Sequence, residues 1–316
     1  MGDAGAEEES EQAFSHCPKF NHDMTTDEVE YHKETLHYMR EDNQKRITNV
    51  TEFENHFFDP AVVNYLFTIA IRLKLHPMIR YQALYLFDGF ISEHLETHYS
   101  GISSHIKEVN DQMVEWEKVE SNLSRQLTLR MVSCLQLASK TYDCADSLTP
   151  TYLVSCLKAL GHLYTTEAVL KSEIRVSSTV DFKLWDRDNP VVYIETILAL
   201  LSKDCQFLRG SMKNFYHRCT YVFDCVLMNM KQIYNHLLFN LYTRTVKDVG
   251  HLRYNRILSD WFLLGTGVIY SAASTLDFND TQLKEILNHL LNYTKVPEDN
   301  IKRLADAIEE VMAHKT

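Results

Sequence analysis

The chain has 316 residues, 45% of them apolar, enough to bury two cores. Nine glycines and six prolines are few for that length and favour helices over sheets rich in turns. A formal net charge of −11 argues against broad direct nucleic-acid binding by phosphate neutralisation and leaves protein partners as the default.

Residues 1–24 are acidic, with Glu7, Glu8, Glu9 and Glu11 and no apolar period, and read as a disordered tail. Thr25-Thr26-Asp27 offers an N-cap to a mostly polar helix over 25–48, with Val29, Leu36 and Met39 at helical spacing. Such a helix has to lie on a surface or against a partner. Asp59-Pro60 starts a second helix and His76-Pro77 a third, which Gly101 is expected to end. The charged stretch 101–121, with Trp116 as its one large anchor, reads as an insertion.

A central helix follows. Leu127, Met131, Cys134 and Ala138 fall on one face and Leu129, Val132 and Leu135 on another, so it is apolar nearly all round and buried nearly all round. Ser133, Cys134, Ala138 and Ser139 are small enough to let neighbouring helices approach, and Lys140 emerges at the tip. Thr149-Pro150 and Thr165-Thr166-Glu167 open two further helices. These five helices make a first box over 52–186, closed by the polar break from Trp185 to Asn189.

The remaining residues, 187–316, repeat the pattern. Asn189-Pro190-Val191-Val192 matches Asp59-Pro60-Ala61-Val62, and a long helix is expected from Met212 to Leu238. The run from Trp261 to Ala273 is again apolar all round, with Gly265 and Gly267 read as close-packing positions. Helices opening at Asp280 and Pro297 complete a second five-helix bundle.

Catalytic chemistry has no motif. There is no P-loop and no paired-glycine phosphate cradle, so an enzyme is not expected. His94 and His98, four apart, are two ligands where a zinc site needs more, so neither a metal nor a cofactor is expected. Seven cysteines without a Cys-x-x-Cys, an odd count and no secretory signal point to a reducing compartment. No apolar run reaches membrane-spanning length. Arg244, Lys247, His251, Arg253 and Arg256 form a basic cluster, read as a solvated loop.

Several strings carry a resemblance. Ala138-Ser139-Lys140 at the end of a central helix is similar to the signature of the cyclin box, as are Glu173 and the helix ending Asp181-Phe182-Lys183-Leu184. Leu84 to Phe90 resembles the box's second helix, and Tyr31 to Glu41 resembles the N-terminal helix of mitotic cyclins. Leu127–Lys140, Ala159–Glu167 and Val192–Leu198 are similar to the cyclins of meiotic crossover formation. The resemblance implies an all-α fold of tandem five-helix cyclin boxes preceded by an N-terminal helix. It implies a regulatory subunit that binds a cyclin-dependent kinase through Lys140, Glu173, Tyr31 and Tyr38. It further implies a nuclear role on meiotic chromosomes, with recombination proteins as partners and crossover designation as the outcome.

Two departures stand against the family pattern. At the first helix, Phe58-Asp59-Pro60-Ala61-Val62 lacks the arginine that would pair with Asp88 and the tryptophan floor of a substrate-docking groove. After Lys140, Tyr142 and Asp143 replace a pair of glutamates. The alternatives are therefore a kinase-independent scaffold recruiting recombination or clamp-loader proteins, and a cell-cycle cyclin without its groove. From residue chemistry alone, Lys140 and Glu173 read as solvated charges; their kinase role comes from the resemblance.

Overall fold

The structure, a computed structural model, describes residues 17–55, 58–142, 147–184, 189–242 and 249–314. The expected acidic run Glu7–Glu11, the break 185–188, Asp143, Arg244 and Lys247 lie outside them. The described residues form α1 (Thr26–Asn49), α2 (Pro60–Arg72), α3 (Pro77–His105), α4 (Val109–Tyr142), α5 (Pro150–Ala159), α6 (Thr166–Thr179), α7 (Pro190–Asp204), α8 (Met212–Tyr242), α9 (His251–Leu258), α10 (Trp261–Ser274), α11 (Asp280–Thr294) and α12 (Glu298–Ala313). The fold is all-α, as expected. The chain divides into two compact units, Phe53–Asn189 and the residues up to Glu52 together with those from Pro190.

In the unit Phe53–Asn189, the helix starts follow the caps in the sequence. Asp59 accepts from the Ala61 N–H, Thr149 from Tyr152 and Thr165 from Ala168, with Pro60 and Pro150 at the first helical positions. Helix α4 is the axis: every residue from Met131 to Ser139 is buried, and α3, α5 and α6 pack on it. Each large apolar side chain buried there contributes about 1.5–3 kcal/mol. Gly101 does not end α3. The helix continues to His105, where the His105 ring and the Ser104 hydroxyl close on the Gly101 carbonyl at 2.8 and 3.0 Å. A single glycine inside a helix costs only about 1 kcal/mol, less than the surrounding turns supply. Most of the stretch 101–121 is helical, and from Val109 it forms the first turns of α4. Lys118 pairs with Glu115 there, and the Trp116 indole N–H donates to Glu120 at 2.7 Å.

In the other unit, α7, α8, α10 and α12 enclose a second core. Gly265 and Gly267 are close-packing positions: a methyl built on Gly267 would lie 2.5–3.2 Å from Leu304 of α12. Helix α8 runs past Leu238 but breaks its dihedrals at Asn229 (φ −132°, ψ 19°), whose Nδ2 donates to the Cys225 carbonyl at 2.7 Å. The basic cluster is not a loop from His251 on. Gly250, at φ 83°, opens α9, which buries Tyr254 and Leu258 while the Asn255 amide donates to the Thr51 carbonyl at 3.0 Å.

Helix α1 belongs to this second unit and packs on α7, α9, α10 and α11. A capping box of Thr25 and Glu28 starts it. Its few buried residues, Val29, Leu36, Met39 and Asn43, explain its polar look. Polar contacts dock it. Asn43 donates to Asp260 and accepts the Trp261 N–H, both at 2.9 Å, and the Arg46 guanidinium carbon lies 3.3 Å from the centre of a Trp261 ring.

Candidate functional site

Lys140 and Glu173, 33 residues apart, meet. Serines let α6 approach α4 closely: the Ser133 hydroxyl donates to that of Ser172 at 2.7 Å, and Arg130 Nη1 donates to Ser172 at 2.8 Å. The next residue on α6, Glu173, thereby reaches the tip of α4, where Lys140 Nζ donates to its Oε1 at 2.5 Å. The glutamate side chain is 15% exposed and the lysine 38%, so the pair sits at the surface with its carboxylate largely covered. A pair this exposed adds at most about 1 kcal/mol to stability. Its chemical content is an ammonium held against a carboxylate at the tip of α4, with donor and acceptor chemistry of the kind that backbone carbonyls and amides match.

Leu170 and Ile174, one turn apart on α6, flank Glu173 on its outward side, and Ile174 is 64% exposed. The sequence reading singled out neither residue; their exposure depends on which face of α6 packs on α4, which spacing alone does not give. Tyr142, in the place of a family glutamate, is half-exposed and stacks on His76 at 4.4 Å. His76 Nδ1 accepts from the Met78 N–H, which leaves the proton of a neutral ring on Nε2, 2.9 Å from the Tyr142 hydroxyl. Asp88, without its family arginine, is buried and accepts the backbone N–H of Asn55 at 3.0 Å.

Tyr31 and Tyr38 are not part of the Lys140 cluster's unit. They stand on α1, seven residues apart and therefore on one face, 67% and 65% exposed. Of the basic cluster, His251, Arg253 and Arg256 line a cleft of about 580 Å3 that also holds Glu52 and Asp260, so its charge is mixed. Donor atoms of Cys205, Glu285 and His289 lie within 4.8 Å of one another. Burial, Glu285 and Asp204 push the Cys205 thiol up to about 12, so it is held protonated. Among the described residues no helix is long and apolar enough to cross a membrane.

Comparison with known proteins places the chain beside cyclin-like proteins. It is 25% identical over 278 residues to the human protein named Cyclin N-terminal domain-containing protein 1, covering 87% of this chain and 82% of that protein. The mouse protein of the same name is 23% identical over 289 residues, covering 90% and 83%. No family model matches the chain, and no solved structure matches it.

Proposed function

We propose that this cyclin-like chain is a regulatory subunit that binds a cyclin-dependent kinase through the surface centred on Lys140 and Glu173. The observation that carries the reading is the pair itself: two oppositely charged groups from separate helices, locked together at the tip of the buried axis beside exposed Leu170 and Ile174. A charge pair rimmed by apolar side chains fixes register while the apolar rim supplies area. Tyr31 and Tyr38 add a second, aromatic contact from α1. The resemblance to crossover cyclins supports a nuclear role in meiosis, in which the kinase pair acts with recombination proteins to designate and mature crossovers.

Co-purification of the full chain with a panel of cyclin-dependent kinases tests this. One kinase is expected to be retained by the wild type and lost by Leu170→Glu/Ile174→Glu. Retention of none, or equal retention by both, would refute it. The buried Asp88, already satisfied by Asn55, favours a second reading in which no substrate groove exists and the boxes act as a kinase-independent scaffold. That reading expects recombination or clamp-loader proteins to co-purify equally with both forms.

A further inference from the structure

A recess of about 430 Å3 lies between α3, α4 and α6 in the unit Phe53–Asn189. Its polar lining is His94, His98, Asn122, Gln126, Arg130 and Arg175, and among the described residues no acidic side chain lines it. For a chain of net charge −11, a concave site with two guanidiniums, two imidazoles and no carboxylate is the opposite of the surrounding composition.

The hydrogen bonds turn both carboxamides towards donation. Asn122 Oδ1 accepts from Arg125 Nη2, and Gln126 Oε1 accepts from Arg130 Nη2, each at 2.5 Å. With both carboxamide oxygens taken, what the two amides have left is N–H. Arg130 spends one further N–H on Ser172 at 2.8 Å, and three of its five remain. Arg175 has no carboxylate partner among the described residues. The His94 ring stacks on Phe90 and stands 4.5 Å from His98. Burial first, and then the neighbouring His98 on α3, Arg175 on α6 and Arg130 on α4, hold the His94 imidazole down at about 4.

We propose that this recess binds the phosphate of a phosphorylated serine or threonine in a protein partner. A phosphate offers three acceptor oxygens and close to two negative charges, matching a ring of donors and two arginines. The volume exceeds that of a bare anion, and Phe90, Val119 and Leu123 line the rest, where a side-chain methyl and flanking backbone fit. The net charge repels anionic membranes and nucleic acid as extended surfaces, while a local recess still takes a single dianion. On α6, Arg175 and Glu173 fall on opposite flanks, so this site is separate from the Lys140–Glu173 surface.

The test uses the full chain with labelled histidines, His94→Gln assigning the His94 signal. It is titrated with inorganic phosphate, a degenerate phosphothreonine peptide pool, the unphosphorylated pool, and phosphatidylserine vesicles. The phosphorylated pool is expected to move the His94 and His98 signals saturably and to bind more tightly than phosphate. Arg175→Glu should weaken it on the order of ten-fold or more, and Arg175→Lys only a few-fold. Arg175 is exposed, so the fold survives both changes. Equal binding of the unphosphorylated pool, no tighter binding than phosphate, or no effect of Arg175→Glu overturns the proposal. So does Arg175-dependent binding of vesicles without binding of the peptide.

Discussion

Gly265 and Gly267 sit two residues apart on α10 and make opposite predictions for the same substitution. An alanine methyl at Gly265 would stand 3.6 Å from Ile194 Cγ1 and 3.8 Å from Tyr193 Cβ, ordinary contact distances. Gly265→Ala therefore gains helix propensity, about 0.5–1 kcal/mol, at no packing cost. At Gly267 the methyl would meet Leu304 Cδ2 at 2.5 Å, Cγ at 2.7 Å and Cβ at 3.2 Å. Leu304 is fully buried, and its branch point cannot swing aside without moving α12. Overpacking of that kind costs about 1–3 kcal/mol, which outweighs the propensity gain. Urea unfolding, read on the transition of the unit that holds α10, should place Gly265→Ala at or above wild type and Gly267→Ala about 1–2 kcal/mol below it. Equal stability of the two alanine variants would refute the packing of α10 on α12.

Three further outcomes follow from polar contacts. Asn43→Ala leaves the Trp261 N–H and the Asp260 carboxylate without their partner on α1, and should cost about 2–4 kcal/mol in urea and speed proteolysis of α1. Arg46→Lys keeps the charge but loses the planar stack on Trp261, and should cost about 1 kcal/mol with a change in tryptophan emission. His94 has a folded value of about 4 against an ordinary 6.5, so the unfolded chain binds the extra proton between them. Its contribution to stability is full above about 6.5, falls as pH drops towards 4, and is constant below. His94→Gln should flatten that part of the pH–stability curve, and saturating phosphate should reduce the loss in the wild type.

Much of the fold was legible because its punctuation is chemical. Asp59-Pro60, His76-Pro77, Thr149-Pro150 and Thr165 each mark a helix start by a side chain that satisfies a free N–H, and all four open helices where expected. Gly101 misled because a single glycine is a weak breaker once neighbouring turns are packed or capped. The helix α9 was hidden behind its basic residues, since only Tyr254 and Leu258 report its buried side. The docking of α1 escaped for the same reason: Asn43 and Arg46 attach it, and apolar periodicity does not see them. At the candidate site, the sequence offered Lys140 and Glu173 only as separate charges. Their meeting depends on Ser133 and Ser172 drawing two helices together, a contact no spacing along the chain encodes. The donor-lined recess draws its groups from three helices and was legible only as the His94/His98 pair.

The most direct measurement is titration calorimetry of the retained kinase against wild type and the charge-swapped chain, Lys140→Glu/Glu173→Lys. The swap preserves an internal ion pair, so the melting transition should be unchanged. A kinase surface matched to the native polarity should bind it at least on the order of a hundred-fold more weakly, close to 3 kcal/mol. That loss with an intact fold is the predicted result. Equal affinity for both chains would contradict it and leave the Lys140–Glu173 pair as a surface salt bridge with no part in kinase binding.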